Sequence, residues 1–312
     1  MAEDLDRARA GDARALARLI SLVEDGSPQV RSVIKDLLPG TGAARIIGLT
    51  GAPGVGKSTV TSALVGAFRA AGRKVAVLAV DPTSPFTGGA LLGDRVRMQD
   101  HATDPDVFIR SMASRGHLGG LAAATPQAAR VLEAARCEVI LVETVGVGQS
   151  EIEVASAADT TVVLLAPGMG DGIQAAKAGI LEIGDVYVVN KADRDGADAT
   201  ARELSHMLAL GERRNPGDWR QPIVKTVAAR GEGIAEVVEA LEKHRAYLAE
   251  TGLLATRRRA RAAAEIEAIA FGVLRSRYGS VHGDAHSPLR KLAERVAAGE
   301  LDPFTAADEL LA

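Results

Sequence analysis

The chain has 312 residues, of which 47% are hydrophobic and 25% are charged, an ordinary composition for a globular protein. Its formal net charge is −3, which gives no general attraction to nucleic acid or to anionic membranes, and we expect neither as a partner. Cys137 is the only cysteine, which excludes an intramolecular disulfide and fits a reducing compartment. The first residues are charged throughout and no run of 18 apolar residues occurs, so we expect a cytoplasmic protein.

Helical patterns predict an extension at each end of the chain. Residues 1–42 contain two amphipathic patterns, from Leu5 to Ile20 and from Pro28 to Leu38. Residues 251–312 contain no strand pattern and begin with a long helical pattern from about Leu254 to Tyr278. We therefore expect a helical extension before the central domain and a helical arm after it.

The central domain, residues 43–250, alternates seven short apolar runs with helical patterns. The runs are RIIGLT, KVAVLAV, VFIRSM, EVILVE, TTVVLLA, VYVVN and PIVKTV. Continuous Val/Ile/Leu-rich runs separated by helices are typical of strands buried on both faces of a parallel sheet. The predicted fold class is therefore α/β, a doubly wound and mainly parallel sheet.

A phosphate-binding loop is predicted between the first strand and the first helix of this domain. It reads Gly51-Ala52-Pro53-Gly54-Val55-Gly56-Lys57-Ser58-Thr59. Its glycines allow backbone N–H groups to surround phosphate oxygens at a helix N-terminus. We expect Lys57 to reach the β- and γ-phosphates and Ser58 to bind Mg²⁺. The alternative is a glycine turn with a solvated lysine.

A guanine-binding loop is predicted after the strand VYVVN. It reads Asn190-Lys191-Ala192-Asp193. Asp193 can accept hydrogen bonds from guanine N1–H and N2–H₂, whereas adenine offers its donor at a different edge. Asn190 would brace the loop, Lys191 would lie over the base, and a plain surface turn is the alternative. The base-contacting loop after PIVKTV would be Val227-Ala228-Ala229.

Carboxylates at three further positions are candidates for Mg²⁺ binding and for orienting the attacking water. Glu143 and Gly146 follow the strand EVILVE, where GTPases hold the metal and contact the γ-phosphate. Asp81 ends the strand KVAVLAV, and Asp94 follows a segment rich in Pro, Gly, Ser and Thr, which suits a switch loop. Helix-cap or turn roles are the alternatives for both aspartates. Val147 stands where Ras-type enzymes carry a water-orienting glutamine, so we expect slow intrinsic hydrolysis.

Six segments in order closely resemble the ArgK/MeaB family of the G3E group of P-loop GTPases, bacterial relatives of the human methylmalonic aciduria type A protein. The segments are GAPGVGKST, VDPTSPFTGGALLGDRVRM, IRSMASRGHLGGLA, ETVGVGQSE, APGMGDGIQAAKAGI and NKAD. The resemblance covers nearly the whole chain. It implies a chaperone of an adenosylcobalamin-dependent acyl-CoA mutase, which gates cofactor loading from an adenosyltransferase and protects or reactivates the mutase. The cobalamin would be on the partner, and this chain would bind GTP, GDP and Mg²⁺.

The resemblance also implies roles for particular residues. Asp81, Asp94 and Glu143 would surround Mg²⁺ and water, and the segment from Gly168 to Lys177 would be an additional switch. Within it, Gln174 and Lys177 would couple the nucleotide to the mutase. Residues 251–312 would form the dimerisation arm of a homodimer.

Other functions remain open from the sequence. A G3E GTPase for metal delivery or another cofactor-insertion task is the main alternative, although no Cys-x-x-Cys or Cys-Pro-His motif occurs. An ATP-dependent kinase would need a phosphoacceptor site that the sequence does not indicate. The basic run Arg257-Arg258-Arg259-Ala260-Arg261 is interpreted as a solvated helix face rather than a nucleic-acid site, and the sequence does not select one mutase among several acyl-CoA mutases.

Overall fold

The structure is a computed structural model that describes residues 2–38, 41–81, 98–101, 103–113, 124–144, 150–168, 180–210, 217–278 and 287–311. The chain forms two compact units, Met1–Arg261 and Ala262–Ala312. None of the helices in these ranges is long and apolar enough to cross a membrane.

The first unit is built on a seven-stranded parallel sheet. The strands are β1 (Arg45–Gly51), β2 (Val75–Asp81), β3 (Val107–Ala113), β4 (Val139–Thr144), β5 (Thr160–Leu165), β6 (Val186–Asn190) and β7 (Ile223–Thr226). Their order across the sheet is β3-β2-β4-β1-β5-β6-β7, and every neighbouring pair is parallel. All seven apolar runs of the sequence form strands. The predicted fold class is confirmed.

Helices cover both faces of this sheet. They are α1 (Ala2–Arg9), α2 (Ala13–Glu24), α3 (Val30–Leu37), α4 (Lys57–Ala70), α5 (Thr125–Ala134), α6 (Ser150–Ala157), α7 (Ile180–Ile183), α8 (Ala197–Leu210) and α9 (Ile234–Glu250). The next helix, α10 (Leu253–Tyr278), begins in the first unit and continues into the second. Successive strand residues point to opposite faces. Ile46 of β1 therefore joins the core cluster that includes Leu19 of α2, whereas Ile47 joins the one that includes Leu64 of α4 and Leu241 of α9.

The N-terminal segment contains one more helix than the sequence predicts. The pattern from Leu5 to Ile20 is split between α1 and α2, because Gly11 adopts a left-handed φ of 85°. Asp12 then caps α2, with its side-chain oxygen accepting a hydrogen bond of 2.8 Å from the backbone N–H of Ala15. A glycine and a capping aspartate in sequence end one helix and begin the next.

The basic run at the start of α10 is not the solvated face that the sequence suggests. Arg257 donates two hydrogen bonds of 2.8 Å to the carboxylate of Asp185. Arg258 and Arg261 bond the carboxylate of Asp159, at 2.9 Å and 3.1 Å. Asp159 and Asp185 are both buried, and they immediately precede β5 and β6. The arginines thus connect the start of α10 to the end of the sheet where its parallel strands begin. We call this end the amino edge, and the end where the strands finish the carboxyl edge.

These contacts lower the pKa of both buried carboxyl groups. Burial by itself would raise the pKa of Asp159, but the hydrogen bond from Arg258 and the charge of Arg261 hold it below its ordinary value. Burial likewise opposes ionisation of Asp185, but the hydrogen bonds and charges of Arg257 and His244 together outweigh it and lower the pKa. The ionised forms are therefore the ones that the fold stabilises.

The second unit contains the remainder of α10 and the helices α11 (Pro288–Ala297) and α12 (Pro303–Leu311). The side chain of Ser287 caps α11 by accepting a hydrogen bond of 3.3 Å from the backbone N–H of Arg290. An ion pair of 2.7 Å joins Arg295 of α11 to Glu309 of α12. The cap satisfies a backbone N–H group that has no partner within the first turn of the helix.

Candidate active site

The carboxyl ends of β1, β4, β6 and β7 bring the predicted phosphate and base loops to one edge of the sheet. Ligands of open parallel sheets bind in crevices at this edge. The loop 51–59 lies between the end of β1 and the start of α4. Gly56 precedes α4 with a φ of 94°, and a Cβ on it would lie 2.4 Å from the Nδ2 atom of Asn190. Only glycine allows the loop to pass this close to the predicted base loop.

Lys57 is held inside the phosphate-binding loop. Its Nζ atom donates hydrogen bonds of 2.7 Å to the carbonyl of Gly51 and 3.2 Å to the carbonyl of Ala52, and its side chain is almost fully buried. Both carbonyls are neutral acceptors, and phosphate oxygens form stronger, charge-assisted bonds with an ammonium group. The ammonium is therefore placed where bound phosphate would be its better partner.

Ser58 and Glu143 form a buried oxygen pair below the loop. The Oγ atom of Ser58 donates a hydrogen bond of 2.7 Å to Oε1 of Glu143. The two side chains meet because β4, which carries Glu143, lies beside β1, with Leu49 opposite Glu143 in the register. A hydroxyl and a carboxylate are hard oxygen donors of the kind that Mg²⁺ binds. This donor set fits the magnesium ion that the sequence predicts.

Asn190 connects the two predicted nucleotide loops. Its Nδ2 atom donates a hydrogen bond of 2.9 Å to the carbonyl of Val55 in the phosphate-binding loop. Its Oδ1 atom accepts from the hydroxyl of Thr226 at 3.0 Å and from the backbone N–H of Ala228 at 3.2 Å. One buried amide therefore fixes the spacing between the phosphate loop, the base loop and the loop 227–229.

Lys191 and Asp193 lie on the solvent side of this junction. Lys191 adopts a left-handed φ of 58°, and its Nζ atom donates a hydrogen bond of 2.6 Å to the carbonyl of Gly54. The half-exposed carboxylate of Asp193 lies 3.5 Å from the guanidinium of Arg230, which also pairs with Glu232 at 3.1 Å. The sequence reasoning missed Arg230, although it directly follows the predicted loop Val227-Ala228-Ala229.

An open cleft of about 760 Å³ lies beside the loop 227–229. It is lined by Thr59, Ala228 and Ala229, which the sequence places at the nucleotide, and by small residues of α4 such as Ala63 and Gly66. His101 closes one side, where its Nε2 atom lies 3.0 Å from the carbonyl of Ser62. Small side chains on α4 keep this cleft open.

Several predicted residues lie outside the part that the structure describes. Asp94, Gly146, Gln174 and Lys177 belong to this group, as does most of the segment from Gly168 to Lys177. Asp81 is described by its backbone alone: it ends β2, next to β4 in the sheet. That position is on the same sheet edge as Glu143.

The model of the family "Methylmalonyl Co-A mutase-associated GTPase MeaB" matches residues 16–281. This chain belongs to the MeaB family. It is 48% identical to a Pyrococcus abyssi protein described as a GTPase, over 99% of this chain and 95% of the relative. It is 34% identical to the mouse mitochondrial methylmalonic aciduria type A homolog, over 96% of this chain and 76% of the relative. The resemblance stated from the sequence is confirmed.

A solved structure supports the same fold. The crystal structure described as "LAO/AO transport system kinase" has a TM-score of 0.72 and 29% sequence identity, and the match covers 99% of this chain and 95% of that chain. The chain is thus a MeaB-family P-loop GTPase, and membership implies that it binds guanine nucleotide.

Proposed function

We propose that this MeaB-family protein is a Mg²⁺-dependent GTPase that acts as a chaperone of an adenosylcobalamin-dependent acyl-CoA mutase of the methylmalonyl-CoA mutase type. It would gate loading of the cofactor, by way of an adenosyltransferase, and protect or reactivate the mutase. The observation that carries the proposal is the family match over residues 16–281, together with the arrangement of Lys57, Ser58 and Glu143 at the end of β1.

The hydrolytic role follows from what these side chains can do. Lys57 would leave the carbonyl of Gly51 to bind the β- and γ-phosphates, where its charge offsets the charge that develops on the leaving group. Ser58 and Glu143 would hold Mg²⁺, with Asp81 and Asp94 as further carboxylates around the metal and the attacking water. Bound Mg²⁺ would neutralise part of the negative charge of the phosphates. Gly146 would offer its N–H to the γ-phosphate.

Guanine selection would rest on Asp193. Its carboxylate is half-exposed, so a base can approach it from solvent, and Lys191 lies against the loop at Gly54. Two N–H donors of guanine would replace the single contact with Arg230, which retains Glu232 as its other partner. Once the base covers it, an acceptor pair of this kind discriminates strongly against adenine, because the adenine edge would leave the carboxylate without donors.

The proposed homodimer would use the C-terminal arm. On the part of α10 that belongs to the second unit, the apolar side chains of Ile266, Ile269, Phe271 and Val273 are exposed. Ile266, Ile269 and Val273 are spaced by three and four residues, so they share one helix face. A second copy of the chain presents the same face, and mutual burial is the simplest way to remove it from water. Light scattering of the protein, and of an Ile266→Glu/Val273→Glu variant, tests this.

The chaperone role is tested by GTP turnover with and without a cobalamin-dependent mutase. Because Val147 replaces the water-orienting glutamine, turnover of the isolated protein is expected to be slow. Stimulation of 10- to 100-fold by the mutase would need only about 1.4–2.7 kcal/mol of transition-state stabilisation. Gln174→Ala and Lys177→Ala are expected to lose most of the stimulation, and Lys243→Ala, an exposed lysine on α9, serves as the control.

The outcomes of that experiment separate the parts of the proposal. Equal stimulation of the wild type and of both switch variants would remove the coupling role of Gln174 and Lys177. No stimulation by any cobalamin mutase would count against the chaperone role. Stoichiometric nickel or zinc in the purified protein would favour the metal-delivery alternative.

A further inference from the structure

A second cavity lies at the amino edge of the sheet, opposite the phosphate-binding loop. It measures about 300 Å³ and borders the first residues of β1 and β4 and the side of α9. Four arginines line it: Arg45, Arg73, Arg136 and Arg245. Three glutamates line it as well, so the lining carries one net positive charge.

Arg45, the first residue of β1, has one edge of its guanidinium without a partner. The side chain is only 4% exposed, and its Nη1 atom donates a hydrogen bond of 2.6 Å to Glu242. Its Nε and Nη2 atoms are buried and have no hydrogen-bond partner in the part of the chain that the structure describes. The N–H groups of Nε and Nη2 are parallel, and together they match two oxygens of a carboxylate or phosphate. Burial also lowers the pKa of Arg45, with Glu242 opposing that effect.

The carboxylates around the cavity leave positive charge uncompensated. Glu138 is paired with Arg73, and Glu133 accepts a hydrogen bond of 3.0 Å from the backbone N–H of Gly42. Arg136 and Arg245 are exposed and make no ion pair with any residue described by the structure. An anion entering the cavity would therefore meet Arg136 and Arg245 at its rim, with the covered Nε and Nη2 donors of Arg45 behind them.

We propose that this cavity binds a small oxyanion, the phosphate or carboxylate group of a metabolite. Arg136 and Arg245 flank the oxyanion, and a shift of the Arg45 side chain, whose Nε and Nη2 atoms are covered in this structure, brings its paired N–H groups onto it. The site is separate from the nucleotide site, because the phosphate-binding loop lies at the carboxyl ends of the same strands. Its volume exceeds that of a bare phosphate ion and lies at the small end of ligand pockets, which suits a small phosphorylated or carboxylated molecule.

The test is calorimetric titration of the full-length protein at constant ionic strength. The protein is first saturated with Mg²⁺ and a non-hydrolysable GTP analogue, so that all three phosphate positions of the nucleotide site are occupied, and the probes are inorganic phosphate and malonate. We expect one saturable site for the wild type. The Arg136→Gln/Arg245→Gln variant should bind at least about tenfold more weakly, because each arginine supplies a charge-assisted bond. Arg202→Gln, an exposed arginine on α8 that does not line the cavity, should bind like the wild type.

Arg45→Gln completes the series. Because Arg45 is buried, the oxyanion affinity of its variant is compared with that of the wild type only after its melting temperature has shown that it is folded. The Arg136→Gln/Arg245→Gln variant, whose substitutions are exposed, tests the proposal independently. Binding of phosphate alone would assign a phosphate-bearing ligand, and binding of both probes an oxyanion of either kind. The proposal is overturned if neither probe binds more tightly than about 1 mM, or if the double variant binds as tightly as the wild type.

Discussion

The two edges of the central sheet carry similar residues in different arrangements. At the amino edge, the buried carboxylates of Asp159 and Asp185 are bonded to the guanidinium groups of α10. At the carboxyl edge, the ammonium of Lys57 is bonded to the backbone carbonyls of Gly51 and Ala52, and the carboxylate of Glu143 to the hydroxyl of Ser58. Asp159 and Asp185 are thus members of ion pairs, and Lys57 and Glu143 have backbone carbonyl and hydroxyl groups among their partners.

We expect the cluster at the amino edge to serve the fold and the cluster at the carboxyl edge to serve a ligand. A buried charge that is already paired with an opposite charge gains little by exchanging that partner for a ligand. Breaking the pair also leaves an unpaired buried charge, which is destabilising. A neutral carbonyl or hydroxyl is a weaker partner, so a phosphate or a metal ion can replace it with a net gain. Variants at the two edges should therefore separate loss of activity from loss of stability.

The largest expected effect is that of Lys57→Ala on hydrolysis. Loss of the ammonium should lower kcat by about 10³-fold, as for other groups that stabilise charge in a transition state. The melting temperature of the nucleotide-free protein should stay close to that of the wild type, because we expect the charge of Lys57 to serve the nucleotide phosphates rather than the fold. Lys243→Ala is the control. Unfolding far below the wild type would make Lys57 a structural residue and break the comparison.

Asp193→Asn should have the next largest effect, on affinity alone. Replacing an ionised acceptor by an amide that also donates should weaken GTP binding by about 3 kcal/mol, measured by titration of a fluorescent nucleotide. The variant should gain relative affinity for xanthosine triphosphate, whose ring presents a carbonyl where guanine presents its amino group. Equally tight binding of ATP and GTP by the wild type would contradict the guanine assignment.

Arg257→Ala should affect stability and leave hydrolysis by the folded protein unchanged. It leaves Asp185 buried with weaker partners, which we expect to lower the free energy of unfolding by about 2 kcal/mol. Arg259→Ala is a matched control from the same run, since the guanidinium of Arg259 bonds the hydroxyl of Thr256 and remains exposed. Its effect should stay within about 0.5 kcal/mol. Urea denaturation followed by circular dichroism measures both, and equal effects would contradict the assigned role of Asp185.

The same edge should make stability depend on acid. The pKa values of Asp159 and Asp185 are lowered in the folded state, so their contribution is complete above their ordinary pKa values and is lost as the pH falls through the lowered ones. Unfolding free energies should therefore decline as the pH falls below about 4. Asp159→Asn should flatten that decline while lowering stability at neutral pH. An unchanged acid profile would show that these carboxylates do not control it.

The sequence predicted the carboxyl edge better than the amino edge, for a physical reason. All seven strands could be predicted because each is a continuous apolar run, and parallel strands necessarily bring their carboxyl ends together. The meeting of Ser58 with Glu143 follows from that rule. The pairing of Arg258 with Asp159 does not, because a helix pattern cannot reveal which distant carboxylate its arginines meet. The run was therefore interpreted as solvated.

Substitution of Arg230 should have the smallest effect of the series, a small change in GDP affinity. It tests the comparison of the two edges most sharply, because Arg230 is a charged partner of a carboxylate at the carboxyl edge. It lies 3.5 Å from Asp193, and both side chains are about half exposed, at 55% and 45%. Exposed pairs contribute about 0–1 kcal/mol and weaken with salt. Arg230 also pairs with Glu232 at 3.1 Å, so it keeps a charged partner when the base replaces it at Asp193, and the exchange costs little free energy.

Arg230→Gln should therefore tighten GDP binding by less than about fivefold, and the difference in affinity should shrink at high salt. Titration at two salt concentrations measures this, with Arg220→Gln as an exposed control. A tenfold loss of affinity that persists at high salt would instead mean that Arg230 contacts the nucleotide. The ion pair of Arg230 and Asp193 would then be part of the nucleotide site, contrary to the comparison of the two edges.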